Sequence, residues 1–164
     1  MRILSYALMG MSYALAQQQE SCLALALNGG GNKGAYQAGV MWGWNHYGNP
    51  EDFQWDVVSG ISGGAINTGA MSPWAKDDGY NMSEWISDQW VNLTTQDIWV
   101  LWPGGLKEGL TTAPSLVDAS PMVRYLQGKL EEFDMEVKRH AMVGTVDINT
   151  GEYISYRLED APKE

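Results

Sequence analysis

A single cysteine, Cys22, occurs in 164 residues, so no disulfide can form within the chain and no cysteine cluster can hold a metal. Basic residues are scarce as well. Lys and Arg number 10 against 20 Asp and Glu, a formal net charge of -10 at pH 7. Phosphate contacts need a basic face and anionic lipid attracts clustered cations, so nucleic acid is not an expected partner, nor is electrostatic attraction to an anionic membrane. No apolar run reaches the ~18–20 residues needed to span a bilayer. There are no repeats and no low-complexity tracts, and Asp78-Gly79 is the only Asp-Gly pair. What is plentiful is apolar residues, 45% of the chain, with 8 tryptophans. That is enough for one domain with a real core.

The first residues read as a targeting segment. Arg2 supplies a positive start, Ile3 to Leu15 is mostly apolar, and Ala14-Leu15-Ala16 fits a small-x-small cleavage site before the polar Gln17-Gln18-Gln19-Glu20. The expectation is a signal peptide over 1–16, a short polar leader over 17–22, an α/β domain over 23–164, and a protein that is secreted or held in a secretory lumen. A first helix of the fold is the other reading of the same residues. Asn81-Met82-Ser83 and Asn92-Leu93-Thr94 are glycosylation tripeptides of the kind a secreted chain carries.

Asp56 to Asn67 reads as a short buried strand, a sharp turn and the start of a helix. Gly60, Ser62 and Gly64 fit G-x-S-x-G. A nucleophilic serine at such a turn needs a strained backbone, and its neighbours must be small enough for strand and helix to pass closely. Ser62 then stands at a helix N-terminus, where free N–H groups favour developing negative charge. A Gly-rich turn merely capped by Ser62 would show the same pentapeptide.

Upstream, the apolar run Leu23 to Leu27 leads into Asn28-Gly29-Gly30-Gly31-Asn32-Lys33-Gly34, and a helix is expected from there to about residue 47. Consecutive glycines let backbone N–H groups converge on an anion. Two strand–loop–helix units in tandem suggest an oxyanion hole facing a nucleophile. Gly29 to Gly34 also satisfies G-x-G-x-x-G, but Ser59, Gly60 and Ile61 stand where a dinucleotide site needs an acidic residue at the end of the second strand. A third possibility is a serine–acid–histidine set in the order Ser62, Asp118, His140.

Together these motifs resemble the patatin-like phospholipases, whose Gly-Gly-Gly-x-Arg/Lys-Gly loop precedes Gly-x-Ser-x-Gly. Order, spacing and the basic Lys33 all match, and Asp147-Ile148-Asn149-Thr150-Gly151-Glu152 is similar to a further segment of that family. The resemblance implies a doubly wound α/β fold with a mostly parallel sheet and helices on both faces. It implies a lipid acyl hydrolase that uses a Ser–Asp dyad, with Ser62 as nucleophile and no metal or cofactor. Gly29, Gly30, Gly31, Asn32, Lys33 and Gly34 would form the oxyanion loop, and Gly60 and Gly64 the elbow around the serine. The partner is then a lipid or other acyl ester, with transient contact to a membrane or micelle surface. The family's aspartate sits in Asp-Gly-Gly or Asp-Gly-Ala well after the serine. This sequence has no such motif, which leads to the expectation of a domain incomplete at its C-terminus. A catalytically inactive lipid-binding or interaction protein is the alternative.

The remaining pattern predicts a second strand over Trp55 to Ser59 after a loop over Glu51 to Gln54. A helix capped by Ser83 follows, then a loop over Leu110 to Leu116 and a helix from Asp118 to Phe133. Strands over 141–148 and 152–157 complete a hairpin. Trp85 and Trp90 are expected on a helix face packed on the sheet; Trp99 and Trp102, in a Gly/Pro-rich stretch, fit equally an aromatic flap or packing of the same kind.

Overall fold

A computed structural model describes residues 22–161; the expected signal peptide and all of the leader except Cys22 lie outside the described residues. Strand β1 (Ala24–Leu27) pairs in parallel with β2 (Val57–Ile61), Ala24 lying beside Val57 and Leu27 beside Gly60. Parallel neighbours need a crossover, here helix α1 (Gly34–Tyr47), which ends where Gly48 N–H returns to the Trp44 carbonyl at 2.9 Å. A 3-10 turn over Pro50–Phe53 leads into β2.

β2 runs directly into α2 (Gly63–Met71). Next come α3 (Gly79–Asn92), α4 (Thr95–Ile98), α5 (Gly105–Thr111) and α6 (Ser120–Glu131). Strand β3 (His140–Val146) then pairs in parallel with β2, and β4 (Tyr153–Arg157) returns antiparallel to β3 as the expected hairpin. The sheet order is β1-β2-β3-β4. The chain is thus α/β with a four-stranded, mostly parallel sheet.

Alternation along the strands selects the core. Leu27, Val58 and Ala141 point to one face, where they pack with Met71 of α2, Ala38 and Met41 of α1, and Met82 and Ile86 of α3. α2 lies against the sheet, and α1 and α3 pack on each other beyond it. On the opposite face Ala24, Ala26 and Ile61 are exposed. Among the described residues the helices therefore gather on one face of the sheet.

Two local expectations need correction. The helix expected to start at Ser83 starts at Gly79, with Asp78 at its N-cap; Ser83 is buried inside it and its hydroxyl donates to the Tyr80 carbonyl at 3.0 Å. The loop expected from Leu110 begins later, because α5 continues to Thr111. Trp85 and Trp90 pack, as expected for a helix face, against the core that includes Leu27, Val58 and Ala141; the Trp85 ring sits 5.2 Å from that of Phe133, and the Trp90 ring lies against Gly34.

Candidate functional site

Ser62 joins β2 to α2 with φ 53 and ψ -123, one of three non-glycine residues with positive φ among those described. Holding an L-residue there costs on the order of 1–3 kcal/mol, and such strain persists only where the surroundings enforce it. The enforcement is steric. A Cβ at Gly60 would collide with the Gly64 carbonyl oxygen, and a Cβ at Gly64 with the carbonyl of Leu27. Strand and helix pass so closely that only glycine fits at both positions. The Ser62 carbonyl accepts from Ala65 N–H at 2.9 Å and from Ile66 N–H at 3.2 Å, and this starts the helix. The side chain is exposed and takes no part in capping.

The glycine loop meets this elbow backbone to backbone. A Cβ at Gly29 would stand 3.2 Å from Ser62 Cβ, and one at Gly34 would stand 3.3 Å from the Gly63 carbonyl oxygen. Gly31 has φ 57, a conformation that favours glycine, and the space around it is open. Gly29 N–H donates to Asn28 Oδ1 at 2.9 Å, so Asn28 anchors the start of the loop with its own side chain. Lys33 N–H closes a 3-10 turn onto the Gly30 carbonyl at 3.1 Å. Among the described residues the N–H groups of Gly30, Gly31 and Asn32 have no acceptor. Lys33 is exposed and joins no ion pair among the described residues.

Three residues outside the motifs tie the two units together. Asn67, fully buried on α2, donates to the Gly34 carbonyl and to Gln37 Oε1, both at 3.0 Å. Its Oδ1 accepts from Trp90 Nε1 at 2.7 Å. Gln37 in turn donates to the Asn28 carbonyl at 2.8 Å. Both ends of the glycine loop are thereby fastened to the serine helix and to α3. The sequence offered one signal for this, a polar Asn67 within an otherwise small and apolar helix. Its partners lie far along the chain.

Other polar groups named from the sequence lie elsewhere. His140 begins β3 opposite Val57, while Ser62 follows the far end of β2, so roughly five residues of strand, about 17 Å, separate them. His140 Nδ1 is instead 3.0 Å from Glu159 Oε1. Asp118 is held by an isolated bridge to Val100 and accepts from Ser120 N–H at 2.8 Å, a bond that holds its carboxyl below the usual carboxylate range. The serine–acid–histidine order is therefore not assembled. Asp56 precedes β2, at the opposite end of the strand from the place where a dinucleotide site needs an acidic residue, and is paired with Lys76. Among the described residues no three His, Cys, Asp or Glu side chains cluster as metal ligands, and no hydrogen bond to Ser62 Oγ is found.

A strained serine elbow pressed against a glycine loop with free N–H groups is the arrangement the two motifs imply, and a family model for the patatin-like phospholipases matches residues 25–163. The chain belongs to the patatin-like phospholipase family. Comparison with curated proteins gives no match. Membership supports a lipid hydrolase at the level of the family, with lipid as its substrate class. Within this patatin-like domain the matched stretch includes the glycine loop, the elbow and the Asn67 ties.

Proposed function

We propose that the protein is a lipid acyl hydrolase in which Ser62 is the nucleophile and the loop from Gly29 to Gly34 cradles the oxyanion. The observation that carries this is the positive φ of Ser62, held in contact with a loop whose N–H groups at Gly30, Gly31 and Asn32 have no acceptor among the described residues. Ser62 Oγ attacks the ester carbonyl, and its proton passes to the aspartate of the dyad that the family resemblance implies. The carbonyl oxygen becomes an oxyanion facing the loop, where one donor contributes on the order of 3 kcal/mol. Collapse, with that proton passed on to the leaving oxygen, releases the alcohol and leaves an acyl-Ser62. Water then attacks that ester and releases the fatty acid. Gly63 N–H, next to the serine at the helix start, is a further donor of the kind such elbows use. The reaction draws on no metal or cofactor.

The test is hydrolysis of a soluble acyl ester and of phospholipid vesicles by the full-length protein and by Ser62→Ala. Turnover should fall to background in the variant; an unchanged rate would refute the assignment. A second reading, lipid binding without turnover, draws on one observation: no carboxylate or imidazole among the described residues hydrogen-bonds Ser62 Oγ. Bound lipid with no hydrolysis by the full-length protein would favour it.

Contact with a lipid surface is proposed for the segment between α4 and α6. It exposes Trp99, Leu101, Leu106, Leu110 and Leu116, while Trp102 is anchored by its Nε1 to the Ser115 carbonyl at 2.8 Å. Replacing Trp99 and Trp102 by Ala should lower the rate on vesicles more than on a soluble ester; equal losses would count against it. We also propose export with removal of residues 1–16, so that the native protein begins at Gln17. An intact Met1 on the purified native protein would contradict this.

A further inference from the structure

We propose that Tyr153 is a specificity residue that hydrogen-bonds the alcohol half of the ester, and that it selects an uncharged, hydroxyl-bearing alcohol. This rests on the hydrolase reading above and names the ester class for the same site.

Tyr153 borders an open hollow of about 410 Å³ on the sheet face opposite the helices, at the carboxyl ends of β1, β2 and β3. The lining of the hollow is shared with the site. Asn28 begins the glycine loop, and Gly60 and Ile61 lead directly into Ser62. The Ile61 side chain stands between the two regions. A Cβ at Gly29 would lie 3.6 Å from its Cγ1 and 3.2 Å from Ser62 Cβ, whereas a Cβ at Gly144 would lie 2.9 Å from its Cγ2. The glycine loop is thus on the β1 side of the elbow, and Gly144 is on the β3 side.

Tyr153 reaches this place from β4. It pairs with Val146, and its ring leans diagonally across Gly144, where a Cβ would collide with the phenol oxygen. Gly144 lies beside Ile61 in the register, and Ser62 is the next residue. With strands about 4.8 Å apart and a rise of about 3.3 Å per residue, the hydroxyl stands on the order of 7 Å from Ser62 Cα. An ester whose carbonyl oxygen faces the glycine loop has its alcohol on the Tyr153 side. A hydroxyl roughly one or two carbons beyond the ester oxygen comes within reach of the phenol.

The polar groups of the hollow suit such an alcohol. Among the described residues no partner is found for the Tyr153 hydroxyl, Ser59 Oγ or Asn28 Nδ2, while Asn28 Oδ1 is taken by Gly29 N–H. Hydroxyls donate and accept, and the amide donates. No charged side chain lines the hollow, so nothing there offers the Arg or Lys contact that a phosphate calls for.

Gly144 has no positive φ that would require glycine, and glycine weakens a strand interior. What its missing side chain admits is the Tyr153 ring. A phenol oxygen is the free end of a side chain, so Gly144→Ala displaces the hydroxyl and leaves the strand pairing in place.

The test uses the full-length protein and octanoate esters of glycerol, glucose, glycerol phosphate and ethanol. The glycerol or the glucose ester should show a higher kcat/KM than the ethyl ester, and the glycerol phosphate ester should not. In Tyr153→Phe that preference should fall about fivefold, through KM more than kcat. Gly144→Ala should lower it by a similar factor, with the hydroxyl present but moved. No preference for hydroxyl-bearing esters, a preference for the glycerol phosphate ester, or a folded Tyr153→Phe with an unchanged preference would overturn the proposal. Calorimetry with the non-hydrolysable octyl ether of glycerol separates the two readings. If the ether binds, and binds about fivefold more weakly to Tyr153→Phe, while no ester is turned over, the role of Tyr153 stands and the hydrolase reading falls. If esters are turned over with a preference indifferent to position 153, the hydrolase reading stands and the role of Tyr153 falls.

Discussion

At the starts of the parallel strands, charged side chains do the holding. Asp56 accepts Leu23 N–H at 3.0 Å and pairs with Lys76, a partner that keeps its carboxyl below the usual carboxylate range. His140 meets Glu159. The buried Arg139 donates to the carbonyls of Trp74 and Ala75 at 3.0 and 2.8 Å, and burial pushes its guanidinium down to about 10, with Asp77 and Asp78 acting against that shift. At the other ends of β1 and β2 the chemistry is backbone. Glycines 29, 31, 60 and 64 bring two turns into contact, Ser62 is strained, and the N–H groups of Gly30, Gly31 and Asn32 face no acceptor among the described residues. The N–H groups of the loop are exposed and open to water or a ligand, whereas at the other end protein groups take most of the polar atoms, buried Arg139 Nη1 and Trp74 Nε1 being left without a partner among the described residues.

The largest effect that sharpens this contrast comes from Ser62→Gly. It should remove all turnover yet raise stability by about 1 kcal/mol in chemical denaturation, because glycine relieves the positive φ. A loss of stability would mean that the elbow is not strained as the geometry requires. Next come two variants compared side by side. Arg139→Ala should cost about 3 kcal/mol of stability through two lost charge-assisted hydrogen bonds, with kcat kept. Asn67→Ala should cost about 2 kcal/mol, leave Trp90 Nε1 unpaired, remove the side-chain donor from the Gly34 carbonyl, and lower kcat about tenfold, since the loop loses its tie to the serine helix. A kcat that falls with Arg139 and not with Asn67 would break the comparison. The smallest effect belongs to His140→Ala. An exposed pair of this kind contributes under about 0.5 kcal/mol, and kcat should not change; a large loss of turnover would revive a histidine mechanism.

How far the sequence carried the argument differs between these regions. The glycine loop, the serine elbow, the first two strands and the hairpin were legible because each rests on local chemistry: turn residues at fixed spacing and apolar runs of strand length. The ties from Asn67 to Gly34, Gln37 and Trp90 were not, since they join residues from three helices. Ser83 mimics a cap, with Glu84 and an apolar pattern after it, yet Asp78 begins the helix and tertiary packing buries Ser83. The short α5 was hidden by Gly104, Gly105 and Gly109. A Cβ at Gly109 would collide with the backbone carbonyl of Leu116, so that glycine answers to a contact across a turn and not to helix propensity. The gathering of helices on one face depends on strand order, and no local pattern encodes it.

The most direct measurement is to react the full-length protein with a fluorophosphonate and map the adduct by peptide mass spectrometry. The account predicts one modified residue, Ser62, at a rate that falls when Asn67 is replaced by alanine. An adduct on another serine, or labelling that persists in Ser62→Ala, would contradict it.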